Sequence, residues 1–233
     1  MTHGLPGTNG RRRIYLMRHG EVRYFTPEGK PVNPQEVRLT EDGEAQARAM
    51  GQLLANVPFD RAAHTGLPRT RQTAETVLNG RDLPLAEIGG LREIRLGKLV
   101  DPSHERVEAE FVYGMERAAE PGARFVEGEA YADFQARVTA VFRTILLQPD
   151  WTTMLLVAHD GTNRTLLSWV TGAGLAGLGA FEQDPGCLNI IDADVIDGRI
   201  VRRMVKALNL TPTNYSKLDN HLTSMEQVFF WDR

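Results

Sequence analysis

The chain has 233 residues, 42% of them hydrophobic and 24% charged, which is the profile of a globular domain able to bury a sizeable core. A formal charge of −3 gives no broad positive field and so argues against nucleic acid as a partner, and no run approaches the ~18 apolar residues of a membrane span. The single cysteine, Cys187, excludes an intramolecular disulfide; it fits a reducing cytoplasm and reads as a small core residue.

Met1 to Gly10 is rich in Gly, Thr and Pro and lacks the apolar centre of a signal peptide. Residues 1–12 therefore read as a disordered lead, with Arg11-Arg12-Arg13 a solvated approach to a strand, and a single domain is expected over 13–233. Ile14-Tyr15-Leu16-Met17 predicts a buried strand that stops abruptly at Arg18-His19-Gly20. Residues 22–38, with three prolines, read as a long loop. A helix follows, capped by Thr40 and opened by Glu41, Asp42 and Glu44 at its positive end, with Ala47, Met50, Leu53 and Leu54 facing inward. Phe59 to Thr65 is a weaker strand. Pro68 begins a helix that ends near Asn79, before Gly80.

Leu83 to Ile88 predicts a third, short strand, and residues 104–119 and 129–147 predict helices. Thr153 to Ala158 is the clearest strand in the chain. It ends at His159-Asp160-Gly161, and a helix follows from about Thr162 to Val170. Runs 187–195 and 199–207 flank Asp197-Gly198, a favoured hairpin dipeptide, and this hairpin offers an edge through which two copies could pair as a homodimer. Strands alternating with helices predict an α/β fold with a mostly parallel central sheet. Ligands bind such sheets outside the carboxyl ends of the strands, where both His19 and His159 fall.

Four segments carry the chemistry: Leu16-Met17-Arg18-His19-Gly20-Glu21, Thr65 to Glu75, Leu91-Arg92-Glu93-Ile94, and Leu156-Val157-Ala158-His159-Asp160-Gly161. Arginine forks bind phosphate oxygens bidentately, a neutral imidazole can attack phosphorus, and a carboxyl can protonate a leaving alkoxide. Arg71 and Arg92 read as solvated or salt-bridged, and His3, His64, His104 and His221 as surface or incidental, since none has partner spacing.

With these residues in this order, from Ile14 to Gly172, the chain resembles the histidine phosphatase superfamily, also called the phosphoglycerate mutase-like family. The resemblance implies a three-layer α/β/α sandwich and a metal-independent phosphomonoesterase that acts through a phosphohistidine on a small phosphorylated metabolite, with no cofactor. It implies His19 as the nucleophile, Arg18, Arg69 and His159 as phosphate ligands, His159 as the second active-site histidine and Glu93 as the proton donor. Arg23 and Tyr24 are candidate substrate contacts, with Arg106 and Tyr113 beside them. The match departs at Phe25, where the family often has Asn; at Asp160, where Gly is usual; and after Glu93, where only Gly97 of a longer glycine pattern is kept.

A phosphoglycerate mutase is the nearer alternative. Scattered Arg106, Arg117 and Arg124, in place of a paired-arginine stretch, favour a phosphatase. A non-catalytic phosphate-binding protein is the remoter one. Two decoys fail on context. Gly172 to Gly177 satisfies a dinucleotide pattern but follows a helix, and His159-Asp160 lacks the further ligands a metal site needs.

Overall fold

Ile14, Leu16 and Met17 are completely buried because β1 (Arg11–Arg18) has neighbours on both sides. β4 (Thr153–Ala158) pairs with it in parallel and β5 (Leu188–Ile196) in antiparallel fashion, so the run is apolar on both faces. The computed structural model describes Thr8 and residues 10–28, 30, 32–99 and 103–230. With β2 (Arg61–His64), β3 (Leu85–Glu87) and β6 (Arg199–Leu210), the sheet has six strands in the order β3-β2-β4-β1-β5-β6. The first four strands in that order are mutually parallel. β5 and β6 form the predicted hairpin, turning at Asp197 and Gly198, both with positive φ (49° and 69°).

Side chains alternate across the sheet and meet a different pair of helices on each face. On one face Met17, Leu155 and Val157 pack with Ala47 and Met50 of α1 (Glu41–Leu53) and with Ala74 and Val77 of α2 (Pro68–Leu78). Ile14, Leu16, Leu156 and Ala158 point the other way. They meet Phe134, Val138 and Phe142 of α4 (Tyr131–Leu147) and Leu166 and Leu167 of α5 (Asp160–Thr171). This is the expected three-layer α/β/α sandwich. Thr40 caps α1 by accepting from Gly43 N at 3.0 Å, and Pro68 opens α2 as anticipated.

Two readings change. The arginine run is not a solvated approach, because β1 already begins at Arg11 and uses all three side chains. Arg11 pairs with Asp194 at 2.7 Å, and Arg13 grips the fully buried Asp192 bidentately at 2.7 and 2.8 Å. Arg12 donates to Trp151 O and lies against the Trp151 ring, 5.3 Å from its centroid. Residues 1–7 and 9 of the predicted lead lie outside the described residues.

The helix expected over 104–119 is broken into α3 (His104–Val107), a π turn (Glu108–Val112) and a 3-10 turn (Gly114–Arg117). Gly114 packs under Tyr131, where a Cβ would come within 2.9 Å of the phenolic oxygen. A last helix, α6 (Ser224–Phe230), was not anticipated, although Thr223 and Glu226 form a capping box at its start: Glu226 N donates to Thr223 Oγ1 at 3.2 Å and Thr223 N to Glu226 Oε2 at 2.7 Å. Its approach is pinned by Lys217, which donates to Asp184 Oδ2 at 2.5 Å and Asn209 O at 2.6 Å, and by Asn220, which donates to Asp184 Oδ1 at 2.9 Å.

The β6 edge carries exposed Arg199, Arg202, Arg203 and Lys206. Such charges guard an edge strand against pairing with another copy.

Arg13→Ala is expected to strand Asp192 in the sheet. Breaking a buried pair costs about 3–5 kcal/mol. Arg11 stays 3.9 Å from the same carboxylate, so the expected loss is about 2 kcal/mol, read as a lower urea midpoint with unchanged slope.

Candidate active site

The β1–β4 register ends both strands level: Arg18 pairs with Ala158, and His19 N donates to Ala158 O at 3.1 Å. His19 and His159 are thus the next residues on adjacent strands. The chain leaves β1 toward α1 on one face and leaves β4 toward α5 on the other. Divergence of neighbouring connections opens a crevice at the strand ends. The imidazole centroids lie 5.4 Å apart at 69°, close enough to flank one phosphoryl group.

His19 Nδ1 lies 2.7 Å from Gly20 O, and Arg69 Nε donates to His19 Nε2 at 3.1 Å. Both bonds require a neutral ring with its proton on Nδ1 and its lone pair on Nε2. Burial, then the positive charges of Arg69 and Arg18, hold the His19 pKa well below 6.5. Burial and Arg69 do the same for His159. Arg69 sits in the first turn of α2, and its Nη1 donates to Pro34 O at 2.6 Å. Arg18 donates through Nη1 to Gln183 O at 2.5 Å, while its Nε is buried with no hydrogen-bond partner. The structure therefore brings Arg18, His19, Arg69 and His159 together, as the sequence implied.

Glu93 follows the 3-10 turn Gly89–Leu91 and reaches the N-terminus of α5. Its oxygens accept from Ile94 N at 2.9 Å and Gly161 N at 3.0 Å. Burial, reinforced by the nearby Asp160 carboxylate, raises its pKa, so it keeps a proton to higher pH than an ordinary glutamate. A Cβ on Gly161 would stand 2.6 Å from Glu93 Oε1, which is why a glycine follows the His-Asp pair. Asp160 itself turns away from the histidines. It accepts from Arg164 Nε at 2.5 Å and from Ser224 Oγ at 3.2 Å, and Arg164 also reaches Glu182 at 2.5 Å. The carboxylate that replaces the usual glycine is thus neutralised by a buried arginine and anchors the approach to α6.

Tyr24 lies with its ring centroid 6.0 Å from Arg69 Cζ, on the rim of the site. Arg23 is exposed on the same loop, and so is Phe25. Arg106 pairs with Glu127, and Tyr113 is exposed. Arg71 pairs with Glu75 at 2.7 Å, and Arg92 with Glu87 at 3.3 Å. His64, read as surface or incidental, is buried at the end of β2, where its Nδ1 accepts from Gly66 N at 3.0 Å. The glycine-rich decoy is a helix end: Gly172 adopts the left-handed cap of α5 at φ 78°. Among the described residues, no group of three or more His, Cys, Asp or Glu side chains is placed to hold a metal ion.

Three supporting residues lie inside these motifs without a signal of their own in the sequence. Thr73 accepts from Gly20 N at 3.1 Å, and Gln72 accepts from Leu39 N at 3.1 Å, so the helix that carries Arg69 also fixes the loop after His19. Gly20 is obligatory there, since a Cβ would stand 2.4 Å from Gly43 O. The third is Thr65, whose Oγ1 lies 2.7 Å from His159 Nε2.

A family model described as the histidine phosphatase superfamily (branch 1) matches residues 14–206. The adenosylcobalamin/alpha-ribazole phosphatase of Salmonella typhimurium is 31% identical over 185 residues, covering 77% of this chain and 90% of that protein. A Yersinia pestis protein named "Probable phosphoglycerate mutase GpmB" is 30% identical over 170 residues, covering 69% and 75%. Among solved structures, the alpha-ribazole phosphatase from Shigella flexneri superposes with a TM-score of 0.66 at 27% identity, over 85% of this chain and 96% of that one.

The depressed histidine values have a sign that can be measured. Below about 6.5 the unfolded chain binds protons that the folded imidazoles refuse, so stability falls as pH drops through 6.5 toward the native values. Glu93, with a raised value, works in the opposite sense: its contribution is present at low pH and lost as pH rises through the native value. In phosphate-free buffer the double variant His19→Asn, His159→Asn is expected to show a shallower fall in Tm between pH 7 and 5 than the parent. An equal slope would show that these imidazoles take up protons in the folded protein as readily as in the unfolded chain.

Proposed function

Because the chain belongs to the histidine phosphatase superfamily, we propose that it is a phosphomonoesterase that hydrolyses a small phosphorylated metabolite through a phosphohistidine at His19. The observation that carries this reading is the state of His19. Its Nδ1 is tied to Gly20 O and its Nε2 lone pair faces Arg69, beside a second imidazole.

The incoming phosphoryl group takes the place of that lone-pair contact, and Arg69 and Arg18 move to its oxygens. Nε2 attacks phosphorus in line, the P–O bond to the leaving group breaks, and protonated Glu93 supplies the proton to the departing oxygen. Water then attacks the phosphohistidine, Glu93 takes up its proton, and the P–N bond breaks to release phosphate and restore His19. The guanidinium groups and His159 stabilise charge on the equatorial oxygens, so the chemistry needs no metal ion.

A phosphoglycerate mutase is the second reading, favoured by the 30% identical relative. Against it, the arginines available to bind a substrate carboxylate are already engaged. Arg106 pairs with Glu127, Arg117 with Ala109 O and Glu110, and Arg124 with Gly128 O. Among the described residues no helix is long and apolar enough to cross a membrane. Burial pushes the Cys187 thiol up to about 12, in keeping with an inert core thiol in the cytoplasm.

Purified protein with p-nitrophenyl phosphate and a chelator is expected to turn over, and His19→Ala to abolish both turnover and acid-labile phosphoenzyme. Absence of turnover from pH 5 to 8 would leave only a binding role. A panel containing alpha-ribazole phosphate and 3-phosphoglycerate, with and without a bisphosphate primer, separates hydrolysis from transfer by whether free phosphate appears.

Glu93→Gln is expected to lower the rate of phosphoenzyme formation, read by quenched flow, by about 10²–10⁴ on alkyl phosphates, which need a proton on the leaving oxygen. The same variant should lose less than about tenfold on p-nitrophenyl phosphate, whose leaving group needs little protonation. Equal losses on both would remove Glu93 as the proton donor.

A further inference from the structure

Thr65 is the first residue after β2, on the side of β4 away from β1, and it is completely buried with Thr70 and His159. The three form a chain of contacts. His159 Nε2 lies 2.7 Å from Thr65 Oγ1, Thr65 Oγ1 lies 3.2 Å from Thr70 Oγ1, and Thr70 Oγ1 donates to Leu67 O at 2.8 Å.

Each hydroxyl has one proton, which fixes the direction of the chain. Leu67 O can only accept, so the Thr70 proton points to it. Thr65 must then donate to Thr70, and its oxygen is left to accept from His159. All three contacts are satisfied only when His159 carries its proton on Nε2. Turning the Thr65 proton toward His159 would forfeit the Thr65–Thr70 bond, or the bond to Leu67 O if Thr70 turned as well, and would bury an unpartnered N–H at Nδ1, which is rarer in proteins than an unpartnered lone pair. The His159 Nδ1 is indeed buried without a hydrogen-bond partner.

We propose that Thr65 is a positioning residue that sets the second histidine as its Nε2–H tautomer, so that His159 engages the phosphoryl group through Nδ1 and only after that atom has received a proton. This rests on the phosphatase reading above and adds to it a proton requirement at binding.

The balance is simple. A lone pair on Nδ1 repels phosphoryl oxygen, whereas an N–H there donates to it. The proton comes from the ester itself, whose second ionisation lies near about 6, or from solvent. Transfer breaks one O–H bond and forms one N–H bond, giving a dianionic ester facing an imidazolium.

Arg69, His19, Arg18 and Arg92 all act on the ring as positive or neutral neighbours that disfavour its protonation in the free protein. The nearby carboxyls are engaged, Asp160 by Arg164 and Glu93 by two backbone amides. The bound dianion is therefore the group that makes the second proton favourable.

The test uses the full chain with 15N-labelled histidine rings, His159 being assigned by its loss in His159→Asn. Without phosphate at pH 7.5, His159 is expected to show its single proton on Nε2. Saturating inorganic phosphate should add a second proton at Nδ1. Thr65→Val should give mixed tautomers and weaken phosphate binding by about tenfold, the effect of one lost buried hydrogen bond to a group that becomes charged. Thr65→Ser should restore both.

A proton on Nδ1 in the free parent would overturn the proposal. So would a Thr65→Val protein with the parent tautomer and parent phosphate affinity. If Thr65→Val does not fold, the two parent spectra decide alone. The tautomer is read without turnover, so an inactive enzyme and a wrong tautomer are separate results.

Discussion

Everything at the strand ends depends on one register. Parallel pairing of Arg18 with Ala158 brings the residues that follow them side by side, and so places His19 and His159 within reach of the same anion. A slip of one residue would turn every side chain of β1 to the opposite face, driving Met17 out of one core and Leu16 out of the other. The two hydrophobic layers therefore fix the chemistry as firmly as any contact inside the site. Gly20 and Gly43 then let the departing chain and the start of α1 touch backbone to backbone, which leaves the His19 ring fixed to its own neighbour's carbonyl.

The electrostatics follow from what the site lacks as much as from what it holds. Two guanidinium groups and two imidazoles share a buried volume, and the carboxyl groups around them are tied elsewhere: Asp160 on Arg164, and Glu93 on backbone amides. In the low dielectric of a protein interior this arrangement keeps both imidazoles uncharged and gives the arginines few partners besides backbone carbonyls and the His19 lone pair. A phosphate dianion supplies the charge that such a cluster demands. On the proposed phosphatase reading, binding energy is thereby directed at the atoms where charge develops during transfer.

Much of this was legible in the sequence because it depends on short-range pattern. Two strongly apolar runs, each ending in a histidine, announced the strands and the side of the sheet on which chemistry occurs. The Arg69 segment could be read because Gln72, Thr73 and Ala74 stand after it at the spacing of the family motif. What escaped depends on pairings between distant segments. Thr65 gains its role only from the β2–β4 register. Asp160 is harmless only because Arg164 lies one turn on and Ser224 returns from the far end of the chain. The arginines of β1 looked solvated because their partners, Asp192 and Asp194, belong to β5. His64 looked incidental because burial at a strand end has no composition signature.

The central place of β1 in the sheet carries a kinetic consequence. Its partners lie far along the chain: Arg13 pairs with Thr153 on one side and with Asp192 on the other. Such non-local pairing makes folding slow, and for that interval an apolar strand with two unsatisfied edges is open to association with other chains. Arg11, Arg12 and Arg13 stand at the head of that strand, where clustered charge repels like copies and suppresses aggregation. The same three side chains that later grip Asp192, Asp194 and the Trp151 carbonyl thus act first as gatekeepers of a nascent polypeptide.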